Sequence, residues 1–154
     1  MVDHSKIRRI INRHDYSGKI VLDLGCGPGF GLEALVKHSP KQIIALDMLD
    51  SVLLKARLRV SADYVRGTFE EIPLRNDSVH IALSTYANFL DGDVRLRCSE
   101  VYRVLRPGGE LTILCTKPYH FNLDNDWIYS LYSEKFSYVH MTDQKHLVTL
   151  IAKK

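Results

Sequence analysis

Four glycines within seven positions, Gly25, Gly27, Gly29 and Gly31, follow an apolar run from Lys19 to Leu24. Glycine at a strand-to-helix turn lets backbone N–H groups approach a ligand closely, and the N-terminus of the helix that follows adds positive potential. The pattern is Gly-x-Gly-x-Gly. A dinucleotide-binding Gly-x-Gly-x-x-Gly would need glycine at position 30, which is Phe30, and Pro28 stiffens the middle of the turn. No Gly-Lys-Ser/Thr follows, so a P-loop is excluded. Asp47 closes a second apolar run, Gln42 to Leu46. A carboxylate about 20 residues after a nucleotide loop can accept both hydroxyls of a ribose diol. Taken alone, Asp47 also fits a helix cap or an exposed turn. The seven histidines are dispersed and form no His-x-x-x-His or Cys/His ligand set, so no metal is expected.

Hydrophobic periodicity supplies the scaffold around these residues. Ile7, Ile10 and Ile11 stand at helical spacing before Asp15-Tyr16-Ser17-Gly18 interrupts them. Strands are expected at 19–24, 42–46, 64–65, 78–84 and 110–115, with a helix at 32–37. A further helix carries Val52, Leu53, Ala56 and Val60 inward, capped by Asp50 or Ser51. Residues 94–105 read as a helix with Leu96, Val101, Val104 and Leu105 inward, stopped by Arg106-Pro107-Gly108-Gly109. After a short helix at 126–132, strands at 136–141 and 146–151 leave no room for a crossover and must form a hairpin, turning at Thr142-Asp143-Gln144-Lys145. The expected fold is α/β, a doubly wound, mostly parallel seven-stranded sheet with an antiparallel last strand and helices on both faces. Within one domain over 1–154, residues 1–17 form an N-terminal helix, 18–116 the ligand-binding core, and 117–154 a short helix and terminal hairpin.

Composition narrows the class. The chain has 154 residues, 45% hydrophobic and 25% charged, as in an ordinary globular domain. Its net charge of +3 is spread over small groups, Lys6-Arg8-Arg9, Lys55-Arg57-Arg59 and Arg95-Arg97, which read as solvated faces rather than a nucleic-acid stripe. Cys26, Cys98 and Cys115 are odd in number and far apart, which suits a reducing compartment. With no signal-peptide pattern and no apolar run long enough to span a bilayer, a cytoplasmic protein without a membrane partner is expected.

Val21-Leu-Asp-Leu-Gly-Cys-Gly-Pro-Gly-Phe-Gly31 resembles the first motif of the class I, Rossmann-like S-adenosylmethionine-dependent methyltransferases. Asp47 stands where that family places its ribose-binding acid, and Met48 where an apolar residue faces adenine. Gly67-Thr-Phe-Glu-Glu-Ile-Pro-Leu resembles the family's Gly-Asp-Ala-Glu-x-Leu-Pro-Phe run, with Thr68 in place of the usual Asp and His80 where an acid is frequent. Glu100-Val-Tyr-Arg-Val-Leu-Arg-Pro-Gly-Gly is similar to its helix and turn before the fifth strand. The resemblance implies that S-adenosylmethionine is held by Asp23, Gly25, Cys26, Gly27, Gly29, Asp47, Met48, Thr68, Phe69 and Ser84, and that S-adenosylhomocysteine is the product. Asp23 is placed near the methionine end, or it braces loop amides.

The chemistry implied is methyl transfer to a nitrogen or oxygen acceptor, mostly a matter of alignment and exclusion of water. Asn/Asp-Pro-Pro-Tyr/Phe and Pro-Cys motifs are absent, against amino-directed DNA and cytosine-C5 methylation, and the fourth strand ends without a ribose methylase's Asp. Candidates on the acceptor side are Tyr86, Asp91 and His120, each with a plain structural alternative. The cluster Tyr119, His120, Phe121, Trp127, Tyr129 and Tyr132 either stacks an aromatic acceptor or forms core and hairpin cover. A small-molecule acceptor is the first expectation, with a nucleic-acid or protein acceptor, and a homodimer or partner subunit, left open. The alternative is a non-catalytic cofactor-binding module, or a subunit of a larger RNA- or protein-modifying methyltransferase.

Overall fold

The computed structural model describes residues 4–116, 124–144 and 147–154. Within them, β1 (Ile20–Leu24), β2 (Gln42–Asp47), β3 (Asp63–Arg66), β4 (Val79–Thr85), β5 (Leu105–Thr116), β6 (Tyr138–Gln144) and β7 (Leu147–Lys153) form one sheet in the order β3-β2-β1-β4-β5-β7-β6. The first five strands are parallel, and β7 pairs antiparallel with both β5 and β6. The order reverses between β1 and β4, where a doubly wound sheet opens a crevice at its carboxyl ends.

Alternation along the strands sorts side chains into two cores. Val21, Ile43, Ala45, Ile81 and Leu83 face α1 (His4–Ile11), α2 (Phe30–Leu35) and α3 (Asp50–Arg57). Leu22, Leu24, Leu46, Ala82, Leu111 and Leu150 face α4 (Val94–Val104) and α5 (Asn125–Ser133). A sheet covered on both faces explains why its strands read as continuous apolar runs. No helix among the described residues is long and apolar enough to cross a membrane.

Several local expectations need correction. The second helix starts at Phe30, directly after the left-handed Gly29, and ends in a 3-10 turn over Val36–His38. Neither Asp50 nor Ser51 caps α3. Leu49 holds the cap position without a side-chain bond, and Asp50 pairs with Arg66 at 3.1 Å. Val52 is only half-buried, whereas Leu53, Ala56 and Val60 are buried as expected. Leu96 is exposed; the inward stripe of α4 is Val94, Cys98, Val101 and Val104, two residues off Leu96 and so on the opposite side of the helix. β5 starts at Leu105, with a register shift against β4 between Val79 and Ile81 that absorbs residues 106–109. The hairpin strands lie about two residues later than their pattern suggested, so Thr142 to Gln144 belong to β6, and Lys145 is outside the described residues.

The crossover from β3 to β4 contains no helix, and α4 satisfies its backbone instead. Glu100 Oε2 accepts from the Ile72 N–H at 2.9 Å. Arg103 donates to the carbonyls of Ile72 and Leu74, both at 2.8 Å, and pairs with Glu100. This hydrogen-bonded pair lowers the Glu100 pKa and raises that of Arg103. The Glu-x-x-Arg spacing at 100–103 thus anchors the β3–β4 segment, which begins with Gly67 and Thr68. His80 stands at the amino end of β4, where its Nδ1 accepts from the Ile20 N–H at 3.1 Å.

Candidate functional site

The glycine loop leaves β1 and folds over the end of β2, where the Leu46 carbonyl accepts from both Gly25 and Cys26, at 2.9 and 3.0 Å. Gly25 has φ +74°, and a Cβ there would stand 2.6 Å from the Ala87 Cβ and 3.0 Å from Phe69 Cζ. Only glycine meets both the backbone angle and the approach. Asp47 braces the turn: Oδ2 accepts from the Gly27 N–H and Oδ1 from the Leu49 N–H, each at 3.1 Å.

A cleft of about 510 Å³ opens beside this loop. The glycine loop lines it with Gly25, the end of β2 with Asp47, Met48 and Leu49, the β3–β4 segment with Gly67, Thr68, Phe69 and Glu70, and the β4–α4 loop with Ala87, Asn88 and Asp91. Arg97, from the first turns of α4, closes it. Nε and Nη2 of Arg97 meet Glu70 Oε1, Nη1 donates to the Asn88 carbonyl, and the guanidinium lies 5.2 Å from the Phe69 ring centroid. One side chain therefore ties the β3–β4 segment to the β4–α4 loop. The Thr68 hydroxyl accepts from the Glu71 N–H at 3.2 Å, and Asp91 Oδ1 accepts from the Gly92 N–H at 2.8 Å. The α4 cap is Asp93, not Asp91, so the Asp91 carboxylate stays on the cleft wall.

Asp23 lies behind the loop, 2% exposed. Gly31 makes room for it, since a Cβ there would stand 3.3 Å from Asp23 Oδ2 and 3.4 Å from Thr85 Oγ1. Oδ2 is buried without a hydrogen-bond partner among the described residues. Burial first, and the charge of Asp47 second, push its pKa up to about 7. The buried Ser84 hydroxyl on β4 also lacks a partner among the described residues. Tyr86 follows β4 with φ +59° and packs partly buried against the α1–α3 core.

Of the residues singled out from sequence, Gly25, Asp47, Met48, Thr68, Phe69 and Asp91 line the cleft together. Cys26, Gly27 and Gly29 form the turn without lining it: Cys26 is buried beneath the loop, and Gly29 packs on Ala56 of α3. His120 lies outside the described residues, as do Tyr119 and Phe121. Tyr132 is fully buried core, while Trp127 and Tyr129 are half exposed. Sequence reasoning gave no role to Leu49, Glu70 or Arg97. Arg97 had a signal: it lies three residues from Val94 and four from Val101, on the inward side of α4.

Residues 21–109 match the methyltransferase domain family. The chain is 41% identical over 95 residues to a malonyl-[acyl-carrier protein] O-methyltransferase of Yersinia pestis, covering 61% of this chain and 35% of that protein. It is 35% identical over 105 residues to a phthiotriol/phenolphthiotriol dimycocerosates methyltransferase of Mycobacterium tuberculosis, covering 66% of this chain and 39% of that protein. The chain thus spans little more than a third of the length of these curated relatives. Among solved structures, it superposes on an S-adenosylmethionine-dependent methyltransferase of Mesorhizobium loti with a TM-score of 0.78 at 16% identity, covering 97% of this chain and 96% of that one. A second such enzyme, from Aquifex aeolicus, gives 0.74 at 18% identity with 99% of both chains covered. S-adenosylmethionine is the cofactor of this family. Sharing its glycine loop, its strand order and a match running from Val21 to Gly109, the chain belongs to the methyltransferase domain family.

Proposed function

We propose that the chain binds S-adenosylmethionine along the cleft and passes its methyl group to an oxygen or nitrogen acceptor on a small or carrier-linked molecule. The observation that carries this reading is the pair of carboxylates flanking the glycine loop. Asp47 faces the cleft, and Asp23 lies beside Gly31 with an oxygen that has no partner among the described residues. A nucleoside with a cationic amino-acid tail suits both: the ribose diol on Asp47, and the ammonium on Asp23.

The remaining residues complete the fit. Met48 and Phe69 offer apolar surface to adenine. Thr68, already accepting from Glu71, keeps its hydroxyl proton to donate to a ring nitrogen. The Ser84 hydroxyl supplies a buried polar atom near the methionine end, and the backbone of Cys26 and Gly27, with Gly29 packed on α3, keeps the turn close to the donor. When bound, the cofactor supplies a methyl group already activated on a positive sulfur. The chain's own task is to align the acceptor and exclude water. Asn88 and Asp91 hold the acceptor wall, and Asp91 can orient a polar hydrogen or take a proton released late. The relatives' names, malonyl-[acyl-carrier protein] O-methyltransferase above all, support an acyl- or lipid-type acceptor whose oxygen receives the methyl group.

Calorimetry with S-adenosylhomocysteine tests the cofactor site. The Asp47→Ala change removes charge-assisted hydrogen bonds of about 1.5–3 kcal/mol, so affinity should fall roughly ten- to a hundredfold. Unchanged affinity would refute the ribose assignment. Methyl transfer by the purified chain to free or carrier-linked carboxylic acids tests the reaction. Cofactor binding without any transfer would favour a non-catalytic subunit.

A further inference from the structure

α3 has two apolar faces. Leu53 and Ala56 are buried in the α1–α3 core. At 3.6 residues per turn, the opposite pole of the helix carries Leu54 and, one turn on, Leu58. They are 60% and 90% exposed. Leu49 and Met48, at 52% and 60%, precede the helix and line the cofactor cleft. Four of the nine large apolar side chains exposed among the described residues thus fall between Met48 and Leu58, and two of them, Leu54 and Leu58, stand outside the cofactor cleft. A cluster of that kind marks an interaction surface, where scattered single leucines would not.

Charge says what the surface meets. Asp50 is paired with Arg66 at 3.1 Å, and Glu33 with Arg59 at 3.0 Å. Lys55 and Arg57 are exposed on opposite flanks of the leucine pole and in no ion pair among the described residues, and the exposed Asp63, which lines a hollow with Arg57 and Leu58, accepts from the Gln42 side-chain amide at 2.7 Å. Arg57 lies over the Tyr64 ring, 5.4 Å from its centroid. We propose that α3 is a peripheral docking surface for an anionic phospholipid bilayer. Leu54 and Leu58 enter the headgroup layer, while Lys55 and Arg57 reach lipid phosphates on either side.

A helix lying in the plane of an interface needs this cross-section, an apolar line with cations flanking it. The long stems of Lys and Arg keep their charges at headgroup level as the leucines sink. A second copy of the chain fits less well, because ridge against ridge would bring Lys55 and Arg57 of both copies together. This binding is peripheral, consistent with the absence of a spanning helix among the described residues, and it amends the expectation from sequence that no membrane is a partner.

Flotation of the intact chain with vesicles of phosphatidylcholine, alone or mixed with phosphatidylglycerol, tests the proposal. Binding to the phosphatidylglycerol vesicles and its weakening by salt are expected. The double change Leu54→Ser and Leu58→Ser should reduce binding about tenfold or more, and Lys55→Gln with Arg57→Gln should reduce it and remove the salt dependence. S-adenosylhomocysteine affinity should stay unchanged in both variants, which verifies their fold. No binding to anionic vesicles, or binding that survives the serine changes, would overturn the proposal. So would a dimer in sedimentation that the serine changes dissolve, since it would assign the ridge to a second copy.

Discussion

Replacing Asp23 by asparagine should stabilise the ligand-free chain and weaken its hold on cofactor. The carboxylate is 2% exposed, one oxygen has no partner among the described residues, and burial together with Asp47 raises its pKa from 3.8 to about 7. The folded chain therefore holds this proton more tightly than the unfolded chain does. Stability falls as pH rises from about 4 to about 7 and is level above that, with a total loss of about 4 kcal/mol at 1.36 kcal/mol per pH unit. Asparagine removes the charge but brings an amide N–H₂ whose burial costs about 1–3 kcal/mol. The net gain at pH 8 is then about 1–3 kcal/mol, or roughly 2–10 °C in Tm for a chain of this size. Thermal melts of both proteins at pH 5 and pH 8 read this directly: the wild type should lose stability between them, and the variant should lose much less. Cofactor binding moves the other way. An ammonium beside Asp23 favours the charged form, so wild-type affinity for S-adenosylmethionine should rise from pH 5 to pH 8. Affinity of the asparagine variant should be lower and flat. If the Asp23→Asn protein melts no higher than the wild type at pH 8 and keeps the same pH dependence, the carboxylate is not held in the unpartnered state described.

Arg97→Ala should cost about 1–3 kcal/mol, because it leaves Glu70 unpaired at the cleft and frees the Asn88 carbonyl. Faster proteolysis within residues 86–92 should accompany the lower Tm. Arg97→Lys should recover only part of the loss, since an ammonium cannot span both partners as the planar fork does; full recovery by Lys would show that charge alone matters. Gly25→Ala should destabilise by about 2 kcal/mol, from φ +74° and the 2.6 Å approach to Ala87. Adding Ala87→Gly should restore only the share due to the clash, as the backbone angle remains, and melts of the single and double variants separate the two.

The strand-to-helix turn at 25–31, the apolar runs of β1, β2, β4 and β5, and the terminal hairpin were legible from sequence. Each is written in local residue types: glycine where φ is positive, continuous apolar runs in a sheet covered on both faces, and no length for a crossover after Phe136. Asp47 was legible through its spacing from the loop, and lining the cleft was its outcome. The helix stripe of α4 was misread at Leu96, because a single short helix tolerates more than one apolar phase until a sheet is set against it. Arg97 passed as one of a group of solvated cations for the same reason. Only packing puts its guanidinium between Glu70 and Asn88, which are 27 and 9 residues away in sequence. The state of Asp23 was likewise open between two roles. Residue type and spacing name a carboxylate, but whether it is solvated or stranded depends on β1, β4 and α2 closing around it, and no local pattern encodes that burial.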